Sequence, residues 1–321
     1  MSSGDTVQLF KRLVFETGLV DQVTRAVVDA VRESFDIAYR YKILEIVHKC
    51  RRRRLIRTRV GYLLHSRRWL FIANVHRILR DRLRELDVEP VFSDVAREVV
   101  EKVINHAIRG SKLFLSVAVY SGKVIVARPI FALRRDVTVL DIVANCFSKR
   151  FGRVDNVIED LLLARERIYH FMMNLLRDIN DSLTMAYGAV NELFTKVVIE
   201  SRDKEDLRKS LRKAGRVFVE ECNRFVSEWK KSRLDIVKQW IEDIDDPTIR
   251  ECMRHRLVTA VNAASRVLEQ AFSRVKFRTR CRVSKRSWRR KQCEFEVRFN
   301  FRDDVYNDLI GIVQEFIVRG L

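Results

Sequence analysis

Ten glycines and three prolines in 321 residues leave this chain few places to turn. Tight turns, bulges and helix stops draw heavily on these two residues, so a fold of many short strands is disfavoured and long uninterrupted helices are favoured. Collagenous, linker-rich and low-complexity classes are excluded on the same count. Hydrophobic residues make up 47% of the chain, enough to bury a core in one large domain or two modest ones.

Apolar spacing confirms the helical reading. Apolar residues such as Val23, Val27, Val31, Phe35, Ile43 and Val47 recur at four-residue steps or twice that, predicting helices over Val7 to Phe15 and Val20 to Val47. Ile56, Val60, Leu63 and Leu64 extend a helical stripe, and Trp69 to Leu86 reads as a further amphipathic helix ending before Pro90. Ser93 and Asp94 are placed to cap a helix that Gly110 stops near Arg109, and Asp136 to Phe151 reads as a helix ended by Gly152. From Val154 to about Ser201 an almost heptad stripe (Leu161, Ile168, Met172, Leu175, Ile179, Val190) predicts one long helix or two in line, with a dimeric coiled coil as the sharper alternative. Helices over Lys204 to Lys231 and Leu234 to Ile244 follow. Asp246 before Pro247 starts another that runs to about Phe272, and Val305 to Val318 closes the chain.

Two segments break the helical period. Lys112 to Tyr120 and Lys123 to Leu133 flank Ser121-Gly122 and read as a hairpin whose near-continuous hydrophobicity predicts burial on both faces. In the second, Val275, Phe277, Thr279, Cys281 and Val283 alternate with Lys276, Arg278, Arg280 and Arg282. After a predicted loop over Ser284 to Gln292, Cys293, Phe295, Val297, Phe299 and Phe301 alternate with Glu294, Glu296, Arg298 and Asn300. Period two puts the apolar set on one face and cations at intervals of roughly 6 to 7 Å on the other. The predicted fold is mainly α, a long-helix bundle with two inserted β-hairpins at about 111–133 and 275–301. It divides into a helical arm carrying a basic block (1–90), a small α/β hairpin module (91–152), a long-helix bundle (153–275), and a basic hairpin with a C-terminal helix (276–321).

Charge narrows the function. The chain has 63 Lys and Arg against 43 Asp and Glu, a net +20. Lys49, Arg51, Arg52, Arg53, Arg54, Arg57, Arg59, Arg67, Arg68, Arg77 and Arg80 form one stretch without an acid. Arg274, Lys276, Arg278, Arg280, Arg282, Lys285, Arg286, Arg289, Arg290 and Lys291 form a second, with Trp288 among them. Removing these 21 leaves 42 basic residues against 43 acidic in the other 271 positions, so fifty residues hold the whole excess. A solvated face would spread its charge, whereas two acid-free blocks favour a surface for a polyanion. If half of the 21 neutralised phosphates, log K would fall with log salt at a slope of roughly −9. Trp288 is a candidate wedge or stacking group. The expected partner is double-stranded DNA, with RNA as the alternative, and the coating of an extended ligand also implies self-association into dimers or filaments.

Other chemistries find little support. No Walker A loop, GxGxxG, HExxH or GxSxG is present. His65-Ser-Arg-Arg68 has the HxxR spacing of tyrosine recombinases, but Tyr306 lies far outside the separation that resemblance needs. The acidic groups Glu242, Asp243, Asp245, Asp246 and Asp203, Glu205, Asp206 sit at predicted helix ends, where capping explains them. His48 and Cys50 are too few for zinc, so no metal or cofactor is expected. The six cysteines form no CxxC pair, and free buried thiols are the general expectation. Cys281 and Cys293 flank the predicted turn, and a cross-strand disulfide is their alternative. No secretory leader or membrane span is read, which points to an intracellular, nucleoid-associated or virion-interior site. The Arg- and Val-rich, Gln-poor composition is similar to that of hyperthermophilic archaea and their viruses, a likeness carried by no motif. The reading is a non-catalytic, sequence-independent nucleic-acid packaging protein, a nucleocapsid or chromatin-like subunit. A sequence-specific regulator, a helical assembly protein, and last a recombinase or nuclease are the alternatives.

Overall fold

The computed structural model describes residues 3–49, 56–109, 111–120, 123–134, 137–284 and 287–321. Helix α1 (Ser3–Lys11) passes through a π-helical turn, Arg12–Glu16, and Gly18 at φ 68° before α2 (Leu19–Lys49). Helix α3 (Ile56–Arg82) returns along α2, and α4 (Ser93–Ile108) follows a 3-10 turn at Pro90–Phe92. Strands β1 (Lys112–Tyr120) and β2 (Lys123–Ala132) form the first antiparallel hairpin. Then come α5 (Val139–Phe151), α6 (Asp155–Glu200), α7 (Lys204–Glu242) and α8 (Pro247–Phe272). The second hairpin, β3 (Lys276–Ser284) with β4 (Ser287–Arg298), leads into α9 (Asp303–Arg319). The chain is mainly α, a bundle of long helices carrying two β-hairpins. One buried cluster runs from Phe10 to Leu321, drawing on all four stretches distinguished in the sequence.

Capping residues fix several helix ends where the sequence places them. Asp246 accepts from the Thr248 and Ile249 amides with Pro247 in the first turn, and Asp203 accepts from those of Glu205 and Asp206. The helix expected from Asp136 begins at Val139, because Thr138 and Asp141 form a reciprocal capping box; Asp136 lies outside the described residues. Ser93 is the first residue of α4 and makes no cap hydrogen bond; the 3-10 turn that precedes it delivers the chain already in helical geometry. The Gly110 stop and the Ser121-Gly122 turn lie outside the described residues.

Three elements are longer than the sequence suggests. Helix α3 is continuous where two stripes are read, and α7 runs unbroken past Ser232, where no Gly or Pro stands nearby and Arg233 pairs with Asp178 of α6 at 2.8 Å. The predicted loop over Ser284 to Gln292 is mostly strand, since β4 begins at Ser287. The near-heptad stripe of α6 is consumed within the chain: Leu161, Ile168, Met172, Leu175, Ile179 and Val190 are buried as α6 packs along α7 and α8. In the first hairpin Ile130 and Phe131, adjacent and so on opposite faces, are both buried, yet Phe114 of β1 is exposed, so two-faced burial holds at the end of β2 and fails at Phe114.

Gly320 ends α9 at φ 100°, and a Cβ there would overlap Thr138 Oγ1 and lie 2.9 Å from its Cβ. Gly320→Ala therefore combines a strained backbone with a clash against the α5 cap. It should lower unfolding free energy by about 2 kcal/mol in a urea titration; a change below about 0.5 kcal/mol would contradict this tight fit.

Candidate nucleic-acid interface

Helix α9 orders the elements along one axis. At its C-terminal end Arg319 pairs with Asp21 near the start of α2; near its middle Gly311 faces Arg32; toward its N-terminal end Asn307 and Asp308 share a cavity with Asp36. Helix α2 is thus antiparallel to α9 and, beyond Asp36, runs on thirteen residues to Lys49, about 20 Å past the level of Asn307 and so beyond the start of α9. Arg67 of α3 donates to the Ala38 carbonyl at 2.9 Å, so residues 56–66 accompany α2 over that extension.

The other elements project at the same end. Helix α8 is antiparallel to α9, with Arg256 bonded to Glu315 at 3.3 Å and the Asn300 amide, just before α9, bonded to the Ala271 carbonyl at the end of α8. There Phe299 packs against both Phe272 and Phe218, the ring centroids 5.7 and 6.2 Å apart. Residues 204–217 of α7, with the paired end of α6, therefore extend about 21 Å beyond α8. The β3–β4 hairpin springs from this level and β4 packs on α6. Strand β1 also heads this way: Ser116 meets Tyr306 at 2.7 Å and Arg128 of β2 bonds Asn307 at 2.5 Å, leaving the hairpin tip beyond α9. Two helical pairs and two hairpins thus run toward one end, which carries Lys49, Arg57 and Arg59 of the first acid-free stretch and, on β3 and β4, the described residues of the second from Lys276 onward.

The residues of the first block divide. Lys49 ends α2, Arg57 and Arg59 lie in the first turns of α3, and Arg51, Arg52, Arg53 and Arg54 lie outside the described residues. Arg67 and Arg68 fasten the fold as well as carrying charge: half-buried Arg67 donates to the Ala38 carbonyl, exposed Arg68 donates to the Ser111 carbonyl at 2.5 Å, and both lie near buried Tyr39, whose hydroxyl burial pushes up to about 12. Arg77 and Arg80 are exposed on the body of α3, away from the projecting end. Beside Arg80, His76 has its pKa lowered by burial and by that guanidinium, so the imidazole adds no charge at neutral pH. On the same helix Trp69 is 82% exposed, a stacking candidate the sequence reading missed. Its position gives the signal, since it stands two residues from buried Phe71 and hence about 200° around the helix.

In the second block Arg274 is exposed before β3, and Lys276, Arg278, Arg280 and Arg282 lie on β3. The register sets Arg278 opposite Glu296 and Arg280 opposite Glu294, whereas Arg282 faces Gln292. In the register, carboxylate residues thus stand opposite the middle of the line of cations and none stands opposite Arg282. Trp288, Arg289, Arg290 and Lys291 lie on β4 between the pairs Arg282↔Gln292 and Ser284↔Ser287, four residues opposite Val283 alone. They form an irregular bulge in the pairing, the reason the stretch resembles a loop in sequence. Lys285 and Arg286 lie outside the described residues. Cys281 and Cys293 are directly opposed and disulfide-bonded, so free thiols are the wrong expectation for this pair; Cys146, Cys222 and Cys252 are free. Both bonded cysteines pack against the buried cluster, docking the apolar face of the hairpin.

Groups weighed for catalysis have structural partners. Tyr306 is buried, its hydroxyl bonded to Ser116 and its pKa raised by burial. Asp243 pairs with Arg167 at 2.6 Å, Asp246 caps α8 and pairs with Lys11, and Asp203 caps α7, the two backbone bonds holding its carboxyl below the usual range. Among the described residues no cluster of three His, Cys, Asp or Glu is placed to hold a metal ion, and no helix is long and apolar enough to cross a membrane. No protein family model, curated protein or solved structure matches the chain.

Proposed function

We propose that this protein coats double-stranded nucleic acid, DNA in the first instance, without regard to sequence, as a repeated nucleocapsid or chromatin-like subunit. The observation that carries the reading is that Lys49, Arg57 and Arg59 of one acid-free basic stretch and the β3–β4 residues of another, more than 200 residues further along the chain, lie on elements that run toward the same end of a helical body. A ligand touching both must be extended and polyanionic, which describes a phosphate backbone better than a small molecule or a peptide. The mechanism is charge neutralisation with wrapping or bending of the duplex, and it involves no catalytic step. Trp288 in the hairpin bulge supplies a wedge against base steps, and Trp69 a stacking surface on the helix that also carries Arg77 and Arg80.

Coating also requires copies to associate along one duplex. Negative-stain microscopy of the full chain with and without linear duplex DNA tests this. Regular filaments that form only with DNA are the expected result. Isolated particles at one fixed position on the DNA would contradict packaging and favour a sequence-specific regulator.

A further inference from the structure

The near-zero net charge outside the two basic blocks conceals a third basic surface. Between Lys204 and Arg216, α7 carries Lys204, Arg208, Lys209, Arg212, Lys213 and Arg216 against only Glu205 and Asp206. Both acids are already engaged: Glu205 pairs with Lys209 at 3.1 Å, and Asp206 accepts from the Arg202 amide at 2.8 Å. Arg208, Arg212, Lys213 and Arg216 are exposed and have no ion pair among the described residues. Leu207, Leu211, Gly215 and Phe218 turn the other side of the helix into the core. Arg208, Arg212 and Arg216 recur every four residues, so they climb one strip of helix surface in steps of about 6 Å and drift only about 40° per step. That rise is close to the roughly 6 to 7 Å spacing of alternate cations along β3.

Position gives the strip its meaning. It lies wholly on the part of α7 that extends past the end of α8, because Phe218 is the residue level with Phe299 and Phe272. The basic hairpin leaves the body at that level and packs on α6, the partner of this segment. We infer that the exposed face of α7 from Arg208 to Arg216 is a phosphate-binding track that continues the hairpin surface, so that one nucleic-acid backbone passes over both. This inference rests on the nucleic-acid reading above and adds to it a contact element outside both acid-free blocks.

The test uses the full chain with Arg208, Arg212 and Arg216 replaced by alanine, and a blunt 30-base-pair DNA duplex as probe. A control variant removes three charges from the same helix alongside α8, with Arg224, Lys230 and Lys231 changed to alanine. All six positions are surface or near-surface sites, and circular dichroism checks that each variant keeps its helix content. The track predicts that the first variant binds about tenfold more weakly and that its log K against log salt slope is shallower by about 2, while the control stays within about twofold of the parent. Equal losses in the two variants would reduce the effect to net charge and overturn the track. Unchanged binding by the first variant, with Arg282, Arg289 and Arg290 to alanine still weakening it, would overturn the track and leave the nucleic-acid reading standing. A parent protein that binds no duplex would overturn both.

Discussion

Replacing Arg282, Arg289 and Arg290 with alanine lowers affinity for duplex DNA about 100-fold near physiological salt and makes the salt slope shallower by about 2.7, on an allowance of 0.9 per phosphate contact. The loss is the same for any sequence, because phosphate contacts fix position and carry no base information. These three are singled out by register. Arg282 faces the neutral Gln292, and Arg289 and Arg290 stand in the bulge, free of any cross-strand carboxylate in the pairing. Arg278 and Arg280 stand opposite Glu296 and Glu294, pairs of the kind that stabilise a ribbon by about 0.2–1 kcal/mol each while partly cancelling the field a phosphate would feel. Arg278→Ala with Arg280→Ala should therefore cost less than about fivefold in binding. Filter binding over a salt series measures both. Equal losses from the two sets would show that the Glu residues do not quench their arginines, and unchanged affinity in the first set would remove the hairpin from the interface.

Gln314→Leu should lower the unfolding free energy by about 3 kcal/mol. A two-stranded ribbon leaves one edge of each strand without a ladder partner, and at Phe131 that edge is buried against α9. Gln314, only 4% exposed, serves as the missing strand: its amide nitrogen donates to the Phe131 carbonyl at 2.8 Å and its oxygen accepts from the Phe131 amide at 2.6 Å. Leucine fills similar space but leaves both backbone groups buried and unbonded, at about 1–3 kcal/mol apiece. The change also loosens the β1–β2 hairpin from α9, the helix that sets the levels of the projecting elements. A urea midpoint shift equivalent to less than about 1 kcal/mol would mean that water or a shifted strand replaces the side chain.

Local rules made much of this fold legible. The scarcity of Gly and Pro, the apolar stripe of α6, the Asp246-Pro247 start and the period-two alternation of β3 and β4 each depend on near neighbours in the chain. What escaped depends on distant ones. Nothing around Ser232 tells whether α7 breaks there, and the pairing beside it joins Arg233 to distant Asp178 of α6. Arg67 and Arg68 look like free cations until the carbonyls of Ala38 and Ser111 are brought to them. The three cations and one tryptophan at 288–291 resemble a loop because a bulge and a loop share composition, and only the pairing on either side distinguishes them. That the start of the first basic block and the β3–β4 hairpin face the same end follows from α2 and α8 each running antiparallel to α9, a tertiary fact with no local signature. The α7 strip was hidden for a simpler reason, since acids elsewhere balance it in a sum over 271 residues.

The most direct test of the account is the affinity of the intact chain for two DNA duplexes of equal length and unrelated sequence, titrated from about 50 to 200 mM salt. Sequence-independent coating through the projecting end predicts dissociation constants that agree within a few-fold and a log–log slope of roughly −9 for both. A flat salt dependence, or a preference of about 1,000-fold for one duplex, would contradict it.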